Sequence, residues 1–192
     1  MNNYRQINFG ELELNELLDY VVNKHHAYCK QMLIVIHNHF KTGLIESKEN
    51  NVCTKSISKH LVDFANILEH HFRKEEHIIF PFIKKILKAK RNNKRSLLSQ
   101  VPWIENPLNV LQTEHKKLVS LLLIIINNTH QYFIQKINSA ILKLCYNDLS
   151  EFENELHKYI FIEEKFLFPK VLELQKKMIQ TTKATRSEKV KY

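Results

Sequence analysis

His70-His-Phe-Arg-Lys-Glu-Glu-His-Ile-Ile-Phe-Pro81 decides the fold, because Tyr159-Ile-Phe-Ile-Glu-Glu-Lys-Phe-Leu-Phe-Pro169 repeats it from His71 onward. His71 pairs with Tyr159, Glu75 with Glu163, Phe80 with Phe168 and Pro81 with Pro169. Both stretches are apolar at helical spacing, with a carboxylate four residues after the first aligned residue. Each Pro falls six positions after its Glu, where a helix interior normally bends, so the repeat predicts two equivalent helices with matched bends.

Four helices follow from the periodicity. The first spans about 11–41 and ends near Gly43, read as its cap. The second opens near Thr54 and runs to about Lys90. A polar stretch, 91–105, reads as a loop, and Pro107 suits the first turn of a third helix running to about Asn127. Asn127-Asn-Thr-His-Gln131 reads as a turn, and the fourth helix runs from about Asn138 to Lys177. The expected class is all-α, an antiparallel up-down four-helix bundle. It spans 11–177 as one domain, with an N-terminal extension over 1–10 and a basic tail over 178–192 read as disordered. Two Gly and four Pro in 192 residues leave little to interrupt long helices.

The bulk properties narrow the function. No apolar run approaches the roughly 18 residues that cross a membrane, and the start has no secretory pattern. Cys29, Cys53 and Cys145 are odd in number and lack ligand spacing, so no disulfide framework is expected, and a reducing cytoplasm is the simplest location. The net charge of +9 sits largely in Lys84–Arg95 and the tail, and reads as solvated surface rather than a nucleic-acid site.

The expected seams are each apolar except at one place, held by one residue or by an i, i+4 pair. They are Val22, His26, Cys29, Leu33, Ile36 and Phe40; Leu61, Phe64, Leu68, His71, Glu75, Ile78 and Phe82; Leu108, Leu111, His115, Leu118, Leu122 and Ile125; and Cys145, Leu149, Phe152, Leu156, Tyr159, Glu163 and Phe166. The exceptions are metal-binding types. Residues equidistant from an antiparallel turn share a level, so His26 faces His71 and His115 faces Tyr159. The constellation His26, His71, Glu75, His115, Tyr159 and Glu163 then gathers at one height, where two carboxylates from opposite helices can bridge two metal ions. Such mixed ligation suits iron or manganese at least as well as zinc. His25 competes with His26, because Leu14, Leu18, Val21, His25, Tyr28 and Met32 also form an apolar series.

Leu12–Leu33 (LELNELLDYVVNKHHAYCKQML), HHFRKEEHIIFP, Glu114–Leu118 (EHKKL) and YIFIEEKFLFP resemble the di-iron proteins for repair of iron centres, across about residues 11–175. The resemblance implies a hemerythrin-like bundle holding two non-haem, carboxylate-bridged iron ions. It implies a role in protecting or restoring iron–sulfur clusters damaged by nitric oxide or peroxide, with damaged iron–sulfur proteins and NO, O2 or peroxide as partners. It places ligands on His26 rather than His25, on His71, Glu75, His115 and Glu163, with Glu114 beside them in a channel or supporting role. The pattern departs in three places. The family's fourth-helix histidine falls on Tyr159, which can bind ferric iron as a phenolate or fill the seam with a hydrogen bond. A further family histidine falls near Ser47, where Glu46 is the available donor. A short cysteine-containing domain that often precedes the bundle has no counterpart before residue 11. Two other functions fit the same sequence: a hemerythrin-like module for O2 or NO sensing or iron storage, and a metal-free bundle acting through its basic surface.

Overall fold

A computed structural model describes residues 7–47, 52–92, 103–136 and 139–189, which form four long helices and no strand. Helix α1 comprises Leu14–Tyr20, a π-helical turn Val21–His26 and Ala27–Ser47. Helix α2 comprises Val52–Lys74, a π-turn Glu75–Ile79 and Phe80–Arg91. Helix α3 is unbroken over Glu105–Lys136, and α4 comprises Ala140–Ile162, a π-turn Glu163–Leu167 and Phe168–Lys189. Local chemistry sets the starts. The Glu16 carboxylate accepts from the Glu13 backbone N–H at 2.8 Å before α1, and the Ser139 hydroxyl accepts from Leu142 N at 3.4 Å at the head of α4.

Paired contacts give the directions. Asp19 meets Lys84 and His26 meets Glu76, so α1 and α2 run oppositely. His25 meets Glu155 and Cys145 meets the Ile36 carbonyl, which opposes α1 and α4. Ile104 meets Gln175 and His115 meets Glu164, which opposes α3 and α4. The core forms two apolar layers. One contains Phe40, Phe64, Leu122, Leu149 and Phe152, and the other Leu17, Ile83, Leu111, Phe168 and Val171, all buried. The polar cluster lies between them. Among the described residues, no helix is long and apolar enough to cross a membrane.

The π-turns correct the expected seams. A π-turn inserts one residue into the helical repeat. The Glu75 carbonyl accepts from Phe80 N, and the Glu163 carbonyl from Phe168 N, five residues on. Beyond each insertion the buried face therefore moves by one position. Ile79 and Ile83 are buried where Ile78 and Phe82 were expected, and Leu167 where Phe166 was expected; Ile78 is 63% exposed. In α1 the same slip, counted backward from His26, buries Val21 instead of Val22.

Three further expectations give way. Gly43 is not a cap: α1 passes through it, and a Cβ there would lie 2.4 Å from Leu142 Cδ2, so it is the point where α1 and α4 approach. Asn127–Gln131 is helical rather than a turn. It contains no Gly or Pro, and Thr129, fully buried, returns its hydroxyl to the Ile125 carbonyl at 2.6 Å. Helix α4 continues past Lys177 to Lys189, through residues that lack a helix breaker. The expected loop and its Pro102 lie largely outside the described residues.

Candidate metal centre

Each of the six seam residues read from the sequence lies at the centre of the bundle. His26, Glu75, Tyr159 and Glu163 are 0% exposed, and His71 and His115 are 1% exposed. The π-turns place three of them, since His26 ends one and Glu75 and Glu163 each begin one. Ligand atoms of His71, Glu75, His115 and Glu163 lie within 4.8 Å of one another. His71 Nε2 is 3.1 Å from Glu75 Oε1, His26 Nε2 is 3.2 Å from Glu75 Oε2, and His115 Nε2 is 3.2 Å from Glu163 Oε2. His71 Nε2 and His115 Nε2 are 3.1 Å apart. Tyr159 donates its hydroxyl to Glu75 Oε2 at 2.8 Å and lies 2.7 Å from His71 Nε2.

These contacts leave the cluster short of protons. His26 Nε2, Glu75 Oε1 and both Glu163 oxygens are buried without a hydrogen bond. Buried polar atoms normally find partners, and a buried carboxylate without a cation costs several kcal/mol. The titration behaviour shows the same conflict. Burial, and then the neighbouring Glu75 charge, pushes the Glu163 carboxyl well above its ordinary range. Burial alone would raise Glu75 too, but the facing His71 and His26 outweigh it and hold Glu75 low. His71 is raised because Glu75 and Glu114 outweigh its burial, whereas burial and the adjacent His71 lower His115. Burial, then Glu163 and Glu75, lifts the Tyr159 phenol well above its ordinary value, which keeps it a donor. Inward-facing nitrogen and oxygen donors with unanswered lone pairs could hold a metal, and the residues fit one.

The remaining candidates separate. His25 is 3% exposed, its Nδ1 pairs with Glu155 at 2.5 Å and its Nε2 is buried without a hydrogen bond, so what separates the two histidines is the contact with Glu75. His26 has its Nε2 against Glu75. Glu46 is exposed near the end of α1, twenty residues beyond His26 and so about 30 Å along the helix; it is not brought to the cluster. The Ser47 side chain lies outside the described residues. Glu114 stands behind His71, its Oε2 2.9 Å from His71 Nδ1. Sequence reasoning missed Glu76 and Glu164, which stand in the same way behind His26 at 2.7 Å and His115 at 2.9 Å. The signal was available: both repeats carry adjacent Glu residues, and only one of two neighbours can face inward.

No family model matches the chain. The chain is similar to curated proteins named iron-sulfur cluster repair protein YtfE. It is 28% identical over 160 residues to the protein of Escherichia coli O157:H7, and 26% identical over 160 residues to those of Escherichia coli O81 and Escherichia fergusonii. Each match covers 83% of this chain and 66% of the relative, so the chain spans just under two thirds of the length of these proteins. The resemblance read from four short motifs therefore extends over most of the chain, and the helical bundle fits a hemerythrin-like protein.

Proposed function

We propose that the chain is a di-iron protein that repairs or protects iron–sulfur clusters damaged by nitrosative or oxidative stress. The observation that carries this reading is the buried His71, Glu75, His115 and Glu163 cluster, in a chain similar to proteins named for that repair. In this reading His71, His115 and His26 would supply imidazole nitrogens, and Glu75 of α2 and Glu163 of α4 would supply carboxylate oxygens, to hold two ions. Bound iron supplies redox chemistry, a site for nitric oxide, and cargo that can be given up. The residues hold the donors in place, and the two apolar layers keep bulk water from them. Tyr159 holds a Glu75 oxygen through its hydroxyl. The metal-free alternative would bury Glu75 and Glu163 with unanswered oxygens, at a cost that a bound cation removes. A cytoplasmic location belongs to the same reading, since Cys29 and Cys145 are free and buried.

The test is recovery of a hydratase whose iron–sulfur cluster has been damaged by nitric oxide. Iron-loaded protein should restore more activity per mole of iron than free ferrous iron at equal concentration. His26→Ala, His71→Ala and His115→Ala should each fail while retaining helical content. Recovery no better than free iron, or full recovery by all three variants, would refute repair and favour sensing or storage.

A further inference from the structure

Each of the three cluster imidazoles is backed by a carboxylate from the next helix along the chain. Glu76 of α2 accepts from Nδ1 of His26 on α1 at 2.7 Å. Glu114 of α3 accepts from Nδ1 of His71 on α2 at 2.9 Å. Glu164 of α4 accepts from Nδ1 of His115 on α3 at 2.9 Å. Every one of these carboxylates is a sequence neighbour of a cluster residue: Glu76 follows Glu75, Glu164 follows Glu163, and Glu114 precedes His115. One residue of each pair faces the core while its neighbour reaches sideways to the adjoining helix. The fourth helix pair, α1 with α4, has the same kind of contact, His25 Nδ1 to Glu155 Oε1 at 2.5 Å, on a histidine that does not face Glu75.

The carboxylates sit where the interior meets solvent. Glu76, Glu114 and Glu164 side chains are 20%, 18% and 27% exposed, while the imidazoles they hold are 0–1% exposed. Lys30 bonds Glu76 Oε1 at 2.7 Å, and Lys74 bonds Glu114. Glu164 has no Lys or Arg within reach among the described residues, only the His115 imidazole. An ionised carboxylate only accepts, so it keeps a proton on Nδ1, and Nε2 is the nitrogen left to offer a lone pair to an ion. A ring free to turn, or protonated on Nε2, offers no such lone pair.

We propose that Glu76, Glu114 and Glu164 are positioning residues for metal ligation, each holding one imidazole in the tautomer and orientation that presents Nε2 to the ion. This rests on the metal reading above, and the experiment separates the two. Metal-free full-length protein is titrated with Co2+ in competition with a chromogenic chelator, and the visible Co2+ bands report the ligand geometry. The parent binds Co2+. Glu76→Ala, Glu114→Ala and Glu164→Ala each weaken binding about 10–100-fold and shift the bands. The corresponding Gln variants, whose amide oxygen still accepts from Nδ1, recover most of the affinity and the parent band positions. Helical content of all six metal-free variants stays close to the parent and the Ala variants lose only the stability of one buried hydrogen bond, whereas a merely structural role would leave the Co2+ band positions unmoved. If the parent binds Co2+ and the Ala variants bind within about twofold of it, or if Gln fails to rescue, positioning is overturned and the metal reading stands. If the parent takes up no Co2+, the metal reading falls and positioning with it.

Discussion

Tyr159 gives its hydroxyl proton to Glu75 Oε2 at 2.8 Å, so one seam residue of α4 holds the carboxylate that starts the π-turn of α2. That geometry makes the phenol a donor, and the nearby Glu163 and Glu75 charges, added to burial, oppose its ionisation. The expected outcome is that oxidised, iron-loaded protein has no phenolate-to-iron absorption band. Tyr159→Phe should then keep its iron content and lose about 1–3 kcal/mol of metal-free stability, because a buried carboxylate oxygen loses its partner. A visible band in the parent that vanishes in Tyr159→Phe would instead make the phenolate a ligand.

The close approach at Gly43 gives a test that does not involve metal. A Cβ at this position would meet Leu142 Cδ2 at 2.4 Å and Cγ at 2.5 Å, and Leu142 is itself fully buried. Gly43→Ala should therefore destabilise the bundle by about 1–3 kcal/mol, although Ala is the better helix former. Leu142→Ala should offset part of that loss in the double variant, which a thermal-melt double-mutant cycle measures. Additive losses would show that the two residues do not press on each other.

The cluster was more legible than the helices that carry it. Its six residues stood out because each is a metal-binding type interrupting an apolar seam, and antiparallel pairing set their common level. The repeat around Pro81 and Pro169 pointed to matched irregularities, and the structure has a π-turn ending two residues before each Pro. What a seam cannot show is an inserted residue. Ile78 and Phe82 fit the period as well as Ile79 and Ile83 do, and only the i→i+5 bond from Phe80 N to the Glu75 carbonyl selects the second set. The π-turn of α1 has no Pro at all to signal it. Gly43 misled because a glycine at a helix end and a glycine at a helix crossing look alike in one sequence, and only the position of Leu142 separates them.

Two buried thiols set a pH limit on the fold. Burial, then Glu155, pushes Cys29 up to about 12, and burial, then Asp148, pushes Cys145 up to about 12, from an ordinary 9.0. The folded chain keeps protons that the unfolded chain gives up above pH 9, so the thiols reduce stability as pH rises from about 9 to about 12 and have no effect below that window. Melting temperature should fall more steeply across this range in the parent than in a Cys29→Ala, Cys145→Ala variant. At pH 8 both thiols should resist iodoacetamide until denaturant is added. Rapid native alkylation of either would contradict their burial.

Glu163 is where metal binding and metal-free stability should pull apart. Both of its oxygens are buried without a hydrogen bond, and the Glu75 carboxylate is a neighbouring like charge. In the metal-free chain this arrangement is a cost, and bound cations reverse it, because both carboxylates then face positive charge. Glu163→Gln keeps the side chain's shape and removes a carboxyl that burial and Glu75 push well above its ordinary range, so the folded chain no longer has to bury its charge or protonate it. Metal-free Glu163→Gln should therefore melt a few °C above the metal-free parent at neutral pH, since about 1 kcal/mol moves the midpoint of a chain this long by about 2–4 °C. With iron the order should invert. The parent should take up about two ions by analogy with di-metal bundles and gain melting temperature by mass action. Glu163→Gln should bind at least one ion fewer by elemental analysis and gain less. Glu75→Ala should also lose iron, but without the metal-free gain, because it strips His26, His71 and Tyr159 of the carboxylate they face. A metal-free Glu163→Gln less stable than the parent, or one that keeps its full iron content, would mean that Glu163 is a satisfied core residue and not part of a metal site.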